Sequence, residues 1–132
     1  QAQVIVLMKE IVAEFGMAII FITHDLGVIA QTADKVAVMY LGKMVEQGPV
    51  REVIRTASHP YTQGLLNALP DLGDLDTPLQ PVPGDIPSPL ERPAGCVFHT
   101  RCPEKIPSVP AMAPVAPRHA CACFARETEG AA

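Results

Sequence analysis

The sequence predicts an α/β unit that gives way to a proline-rich, mostly irregular extension. Three observations predict it. Residues 3–15 carry apolar side chains at spacings of three and four, the mark of an amphipathic helix. Ile19-Ile20-Phe21-Ile22-Thr23 is a short, continuous, β-branched run that stops at His24-Asp25. Such a run reads as a strand buried on both faces, as in parallel sheets. From Pro70 to the end, 12 of 63 residues are proline and regular periodicity disappears, because proline removes donors and fixes the backbone.

The elements follow in order. In the first helix, Val4, Ile5, Leu7, Met8, Ile11, Val12 and Phe15 supply the apolar positions, and Gly16 suits a left-handed cap after the last of them. The buried strand is expected over residues 17–23. In open α/β sheets ligands gather at the carboxyl ends of such strands, which puts His24 where chemistry is usually done. A second helix is expected over 26–32, with Asp25 near its start to cap free N–H groups. Residues 35–41 read as another strand, Gly42-Lys43 as a tight turn, and Met44-Val45-Glu46 as the return of a hairpin. Pro49 and Pro60 each fit the first turn of a helix, reaching about Arg55 and Pro70. Residues 78–93 read as an extended arm with polyproline character. A compact cysteine-bearing unit is expected over 95–124.

Composition limits the function classes. A net charge of −4 argues against a nucleic-acid partner, which needs a basic excess. With no Trp, two Tyr and four Phe, a stacking platform for bases is not indicated. No apolar segment approaches the roughly 20 residues of a membrane span, and no leader peptide is evident. The chain opens at Gln1 inside a helical pattern with no capping residue before it, which sets the expectation of a longer parent with sequence upstream. No phosphate loop of the form GxxxxGK[ST] occurs.

The cysteines, Cys96, Cys102, Cys121 and Cys123, all lie near the C-terminal end, spaced C-x5-C-x18-C-x-C. Thiolates are soft ligands suited to zinc or iron–sulfur clusters, but the paired C-x2-C spacing of zinc ribbons is absent. Inert thiols are the plainer reading. For His24 the plainer reading is a histidine bonded to backbone at a strand end, and for His59-Pro60-Tyr61 it is a capping and packing cluster.

The run Phe21-Ile22-Thr23-His24-Asp25-Leu26-Gly27-Val28 resembles the switch-histidine region of ABC transporter ATPases. Residues 33–40 and Gly42-Lys43-Met44-Val45-Glu46-Gln47-Gly48 resemble the strand and hairpin that follow it there. His59-Pro60-Tyr61-Thr62-Gln63-Gly64-Leu65-Leu66, Ile86-Pro87-Ser88-Pro89-Leu90, Gly95-Cys96-Val97-Phe98 and Arg101-Cys102-Pro103 are similar to the oligopeptide/dipeptide importers, a group that includes nickel importers. Gln1-Ala2-Gln3 resembles the residues just after the loop that follows Walker B.

The resemblance implies the closing part of a P-loop ABC-type ATPase domain over residues 1–57. It implies the sub-family's C-terminal extension over 58–124 and a disordered tail over 125–132. His24 would contact the γ-phosphate of ATP, with magnesium held by residues of the parent that precede this chain. The partners implied are a second ABC ATPase domain, membrane permease subunits and, indirectly, a substrate-binding protein, at the cytoplasmic face of the membrane. The chain alone, without Walker A, signature or Walker B segments, is expected not to turn over ATP. Extensions of this sub-family often carry four cysteines, in some members around an iron–sulfur cluster. Here Val109 stands where one cysteine is expected, Cys123 fits the family position, Cys121 is additional, and His119 is a substitute ligand. The alternative expectation is a metal or iron–sulfur binding or regulatory module without ATPase activity.

Overall fold

The computed structural model describes residues 2–69, 81–104 and 112–123. The expected tail over 125–132 and Val109 lie outside the described residues. The chain divides into two compact units, Gln1–Asp34 and Lys35–Ala132.

In the first unit, helix α1 (Ala2–Phe15) and helix α2 (Leu26–Thr32) form where periodicity placed them. Ile5, Met8, Ile11 and Val12 make the half-buried face of α1, whereas Val4, Leu7 and Phe15 are exposed. Lys9 Nζ donates to the carbonyl of Gln31 at 2.7 Å, tying α1 to α2. Gly16 takes φ +62° after α1, the left-handed cap its position suggested.

Residues 17–23 are the correction. They form no strand, and Ile20 and Ile22 are 91% and 95% exposed. A strand is stable only when neighbours accept its backbone hydrogen bonds and layers cover its faces. An all-apolar run of this kind needs both faces covered, and among the described residues nothing pairs with it. His24 therefore follows an extended, exposed segment and not a strand end.

The second unit is built on a four-stranded antiparallel sheet in the order β1-β2-β4-β3. Strands β1 (Lys35–Tyr40) and β2 (Lys43–Pro49) form the expected hairpin. Its two-residue loop is Leu41-Gly42, both at positive φ (47° and 73°), the backbone that matches the twist of the flanking strands. Gly42 accepts that conformation without a Cβ clash. The register slips at Val38/Met39, so Val45 has no partner of its own. This bulge breaks the two-residue alternation and turns both Val45 and Glu46 inward. Helix α3 (Val50–Arg55) follows directly, and helix α4 (Pro60–Asn67) starts with proline in its first turn.

Strands β3 (Ala113–Ala116) and β4 (His119–Cys121) were not foreseen. Proline density argued against strands there, yet Pro114 sits on β3, at the edge of the sheet, where a missing donor costs little. Residues 81–104 form turns and bends with no helix or strand.

The core of this unit is Val38, Tyr40, Val45, Val53 and Phe98. Phe98 comes from the irregular region and is 1% exposed. Its ring meets Tyr40 edge-on at 5.2 Å, Tyr61 at 5.4 Å and His59 at 5.5 Å. Burying such a ring contributes about 2–3 kcal/mol, with about 0.5–1.5 kcal/mol more per well-oriented aromatic pair. Val82, Cys96, Val97, Phe98 and Cys102 of the irregular region are thereby packed into or against the sheet's core. No described helix is long and apolar enough to cross a membrane.

Candidate functional site

His24 lies at a bend between the exposed run and α2. Its neighbours are both engaged. Thr23 Oγ1 accepts the Asp25 amide at 3.0 Å, and Asp25 Oδ1 accepts the Val28 amide at 3.1 Å as the N-cap of α2. The capping role assigned to Asp25 therefore stands. The His24 side chain is exposed, and among the described residues its ring has no hydrogen-bond partner. An imidazole can donate one hydrogen bond while accepting or donating another.

The second candidate region is a buried polar cluster around Glu46, which is 0% exposed. Oε1 of Glu46 accepts the Ser58 amide at 2.7 Å, and Oε2 accepts the His59 amide at 3.1 Å. Nε2 of His119 lies 2.6 Å from Oε1, with both side chains buried. A contact this short is typical of a charge-assisted pair. The carboxylate thus meets three donors at the start of α4, where backbone N–H groups point outward and favour negative charge. His59 is the N-cap of α4, its Nδ1 accepting the Tyr61 amide at 3.1 Å. The cluster ties β2, α4 and β4 together. It is closed to solvent, which makes it a structural device.

Tyr61 is half-buried against Tyr40, ring centroids 4.7 Å apart. Burial pushes its phenol pKa above 10.0; the Tyr40 hydroxyl adds to the rise, and the Arg101 guanidinium opposes it.

The cysteines take different settings. Cys96 and Cys102 are half-buried and pack on the core, while Cys121 (in β4) and Cys123 are buried, with no disulfide among the described residues. Among those residues no three His, Cys, Asp or Glu side chains stand together as a metal could use them. Nε2 of His119, the substitute ligand read from the sequence, is taken by Glu46.

The Glu46–His119 pair was missed from sequence. The partners are 73 residues apart, and no local signal links them. The one available hint is Glu46 inside an apolar strand pattern.

Residues 45–108 match the family described as oligopeptide/dipeptide transporter, C-terminal region. A protein of Brucella ovis named a peptide import ATP-binding protein is 42% identical over 134 aligned residues, covering 94% of this chain and 40% of that protein. A second, of Brucella melitensis and of the same name, is 46% identical over 102 residues, covering 77% of this chain and 31% of that protein. The chain spans about two fifths of the length of the first curated relatives it matches. The match begins at Val45, takes in Glu46, α4 and the arm of residues 81–104, and so covers most of the described core of the second unit. Residues 45–108 thus match an oligopeptide/dipeptide transporter C-terminal region, and the chain is similar over most of its length to part of proteins named as peptide import ATP-binding proteins.

Proposed function

We propose that this chain forms the closing part of an ATP-hydrolysing subunit that powers peptide import, with His24 meeting the γ-phosphate of ATP. The observation that carries the proposal is the 42% identity to a peptide import ATP-binding protein across 94% of the chain, which includes the His24 region. The exposed, unengaged ring of His24 on a fixed bend supports it. ATP is the substrate here, and this chain contributes neither a phosphate loop nor magnesium-holding groups of its own. Those are assigned to the remainder of the subunit.

Phosphoryl transfer is mainly positioning and charge stabilisation. The His24 imidazole donates a hydrogen bond to a γ-phosphate oxygen as negative charge is redistributed there, and its other nitrogen orients the attacking water and the catalytic glutamate of the parent. One donor placed in this way contributes about 10²–10³-fold in kcat. Residues 17–23 complete the arrangement by pairing with strands of the remainder, which covers the exposed isoleucines and turns the extended run into the strand its composition encodes. Residues 1–57 then belong to the ATPase domain, residues 58–124 form the extension and 125–132 a tail. Two such ATPase domains close on ATP, dock on membrane permease subunits at the cytoplasmic face, and act on cargo delivered by a binding protein.

The test uses a hybrid in which this chain replaces the matching stretch of the Brucella ovis relative. ATP turnover that falls about 10²–10³-fold in His24→Ala, with ATP still bound, supports the proposal. A folded, ATP-binding hybrid that has no turnover, or one whose turnover is unchanged by His24→Ala, overturns it.

A further inference from the structure

Three facts about residues 23–28 belong together. The Thr23 hydroxyl accepts the Asp25 amide at 3.0 Å across His24. The Asp25 carboxylate accepts the Val28 amide at 3.1 Å and caps α2, whose helical bond from the Ile29 amide to the Asp25 carbonyl is 3.2 Å. The imidazole between them is exposed and, among the described residues, without a hydrogen-bond partner. Both flanking polar side chains are hydrogen-bonded to the backbone, whereas the imidazole has no such bond among the described residues.

We infer that Thr23 is a positioning residue for His24. The inference rests on the reading of His24 as the group that meets nucleotide. Thr23 is β-branched, so few χ1 states are open to it, and its hydroxyl bond to the Asp25 amide closes a small turn around the histidine. That turn limits the φ and ψ excursions of His24 before any ligand arrives. Only the side-chain torsions are left to settle, which lowers the ordering cost of placing the imidazole against a phosphate. Asp25 fixes the far side of the bend by anchoring it to α2. Thr23 itself touches no nucleotide and works through the residue it frames.

The residue type offers a clean test. Thr23→Val keeps the branched shape and removes the acceptor, while Thr23→Ser keeps the acceptor and removes the methyl group. In the hybrid with the Brucella ovis relative, Thr23→Val is expected to lower kcat about fivefold, the worth of one hydrogen bond. KM for ATP should stay within about twofold, because the loss falls on the transition state. Thr23→Ser should keep the parent rate. Added to His24→Ala, Thr23→Val should lower turnover no further, since the two residues act as one unit. In the 132-residue chain itself, exchange of the Asp25 amide should quicken about fivefold in Thr23→Val and not in Thr23→Ser. The inference is overturned if Thr23→Val keeps the parent kcat while His24→Ala abolishes turnover, an outcome that leaves the role of His24 standing. It is also overturned if Thr23→Val costs the same factor with or without His24, which would be general damage. Turnover unchanged in His24→Ala overturns the role of His24 and this inference together.

Discussion

At the residue scale, Glu46 carries the largest single burden in the described structure. Its carboxylate satisfies two backbone amides of the α4 start and the ring of His119, all shielded from water. Removing one member leaves the others buried and unsatisfied, which costs about 3–5 kcal/mol. Glu46→Ala and His119→Ala should each lower the urea unfolding free energy of the chain by that amount. The double variant should cost clearly less than the sum, since the pair acts as a unit. Equal additive losses would show that the two side chains do not interact in solution. Tyr61 gives a pH signature. Its folded pKa is raised above the unfolded 10.0, chiefly by burial, so the folded state holds its proton to higher pH than the unfolded state does. The stability linked to Tyr61 is therefore full below pH 10.0 and is lost as pH rises through the folded pKa. Unfolding midpoints measured across pH 9–11 should fall less steeply in Tyr61→Phe than in the parent. Little of this was legible in the sequence. His59-Pro60-Tyr61 announced its capping role because that signal is local. The Glu46–His119 pair spans 73 residues and depends on a bulge that no composition encodes.

At the element scale, Gly64 of α4 shows a close approach that sets a sign. A Cβ added there would collide with Cγ2 of Val82, on the arm that follows. Helix propensity alone would make Gly64→Ala stabilising by up to about 1 kcal/mol. Overpacking against a stiff valine costs about 1–3 kcal/mol and prevails. Gly64→Ala should therefore destabilise, and adding Val82→Ala should restore much of the loss, both read from denaturant unfolding. Arg101 holds the same arm by donating to the carbonyls of Pro83 and Val82 at 2.9 and 2.8 Å. Most of the elements here were readable: α1, α2, the β1–β2 hairpin, α3 and α4 all stand within a few residues of where periodicity, Gly42 and the two prolines put them. Two readings failed for opposite reasons. Residues 17–23 have the composition of a buried strand but no pairing neighbours among the described residues. Strands β3 and β4 have poor strand composition, but β4 finds a neighbour in β2, with Glu46 opposite Cys121 and Gln47 opposite Ala120, and β3 pairs in turn with β4. Strand formation is settled by partners, and a sequence window does not contain them.

At the scale of the whole molecule, the second unit has a buried core, and the first carries an apolar run that nothing described covers. Ile20 and Ile22 lie two residues apart, on one side of an extended backbone, and are almost fully exposed. Such a run invites pairing between copies. The isolated chain should self-associate with rising concentration, and Ile20→Lys with Ile22→Lys should suppress this in sedimentation experiments. In the proposed function this exposed run pairs with strands of the remainder of the subunit, and His24 follows it. The family was legible from ordered motifs spread over most of the chain. The pocket that His24 is proposed to complete could not be read from these residues, because its other walls are assigned elsewhere. Amide hydrogen exchange over residues 17–23, in the isolated chain and in the hybrid with the Brucella ovis relative, tests the central claim most directly. The account predicts rapid exchange in the chain and protection of at least about 100-fold in the hybrid. Rapid exchange in both would contradict it.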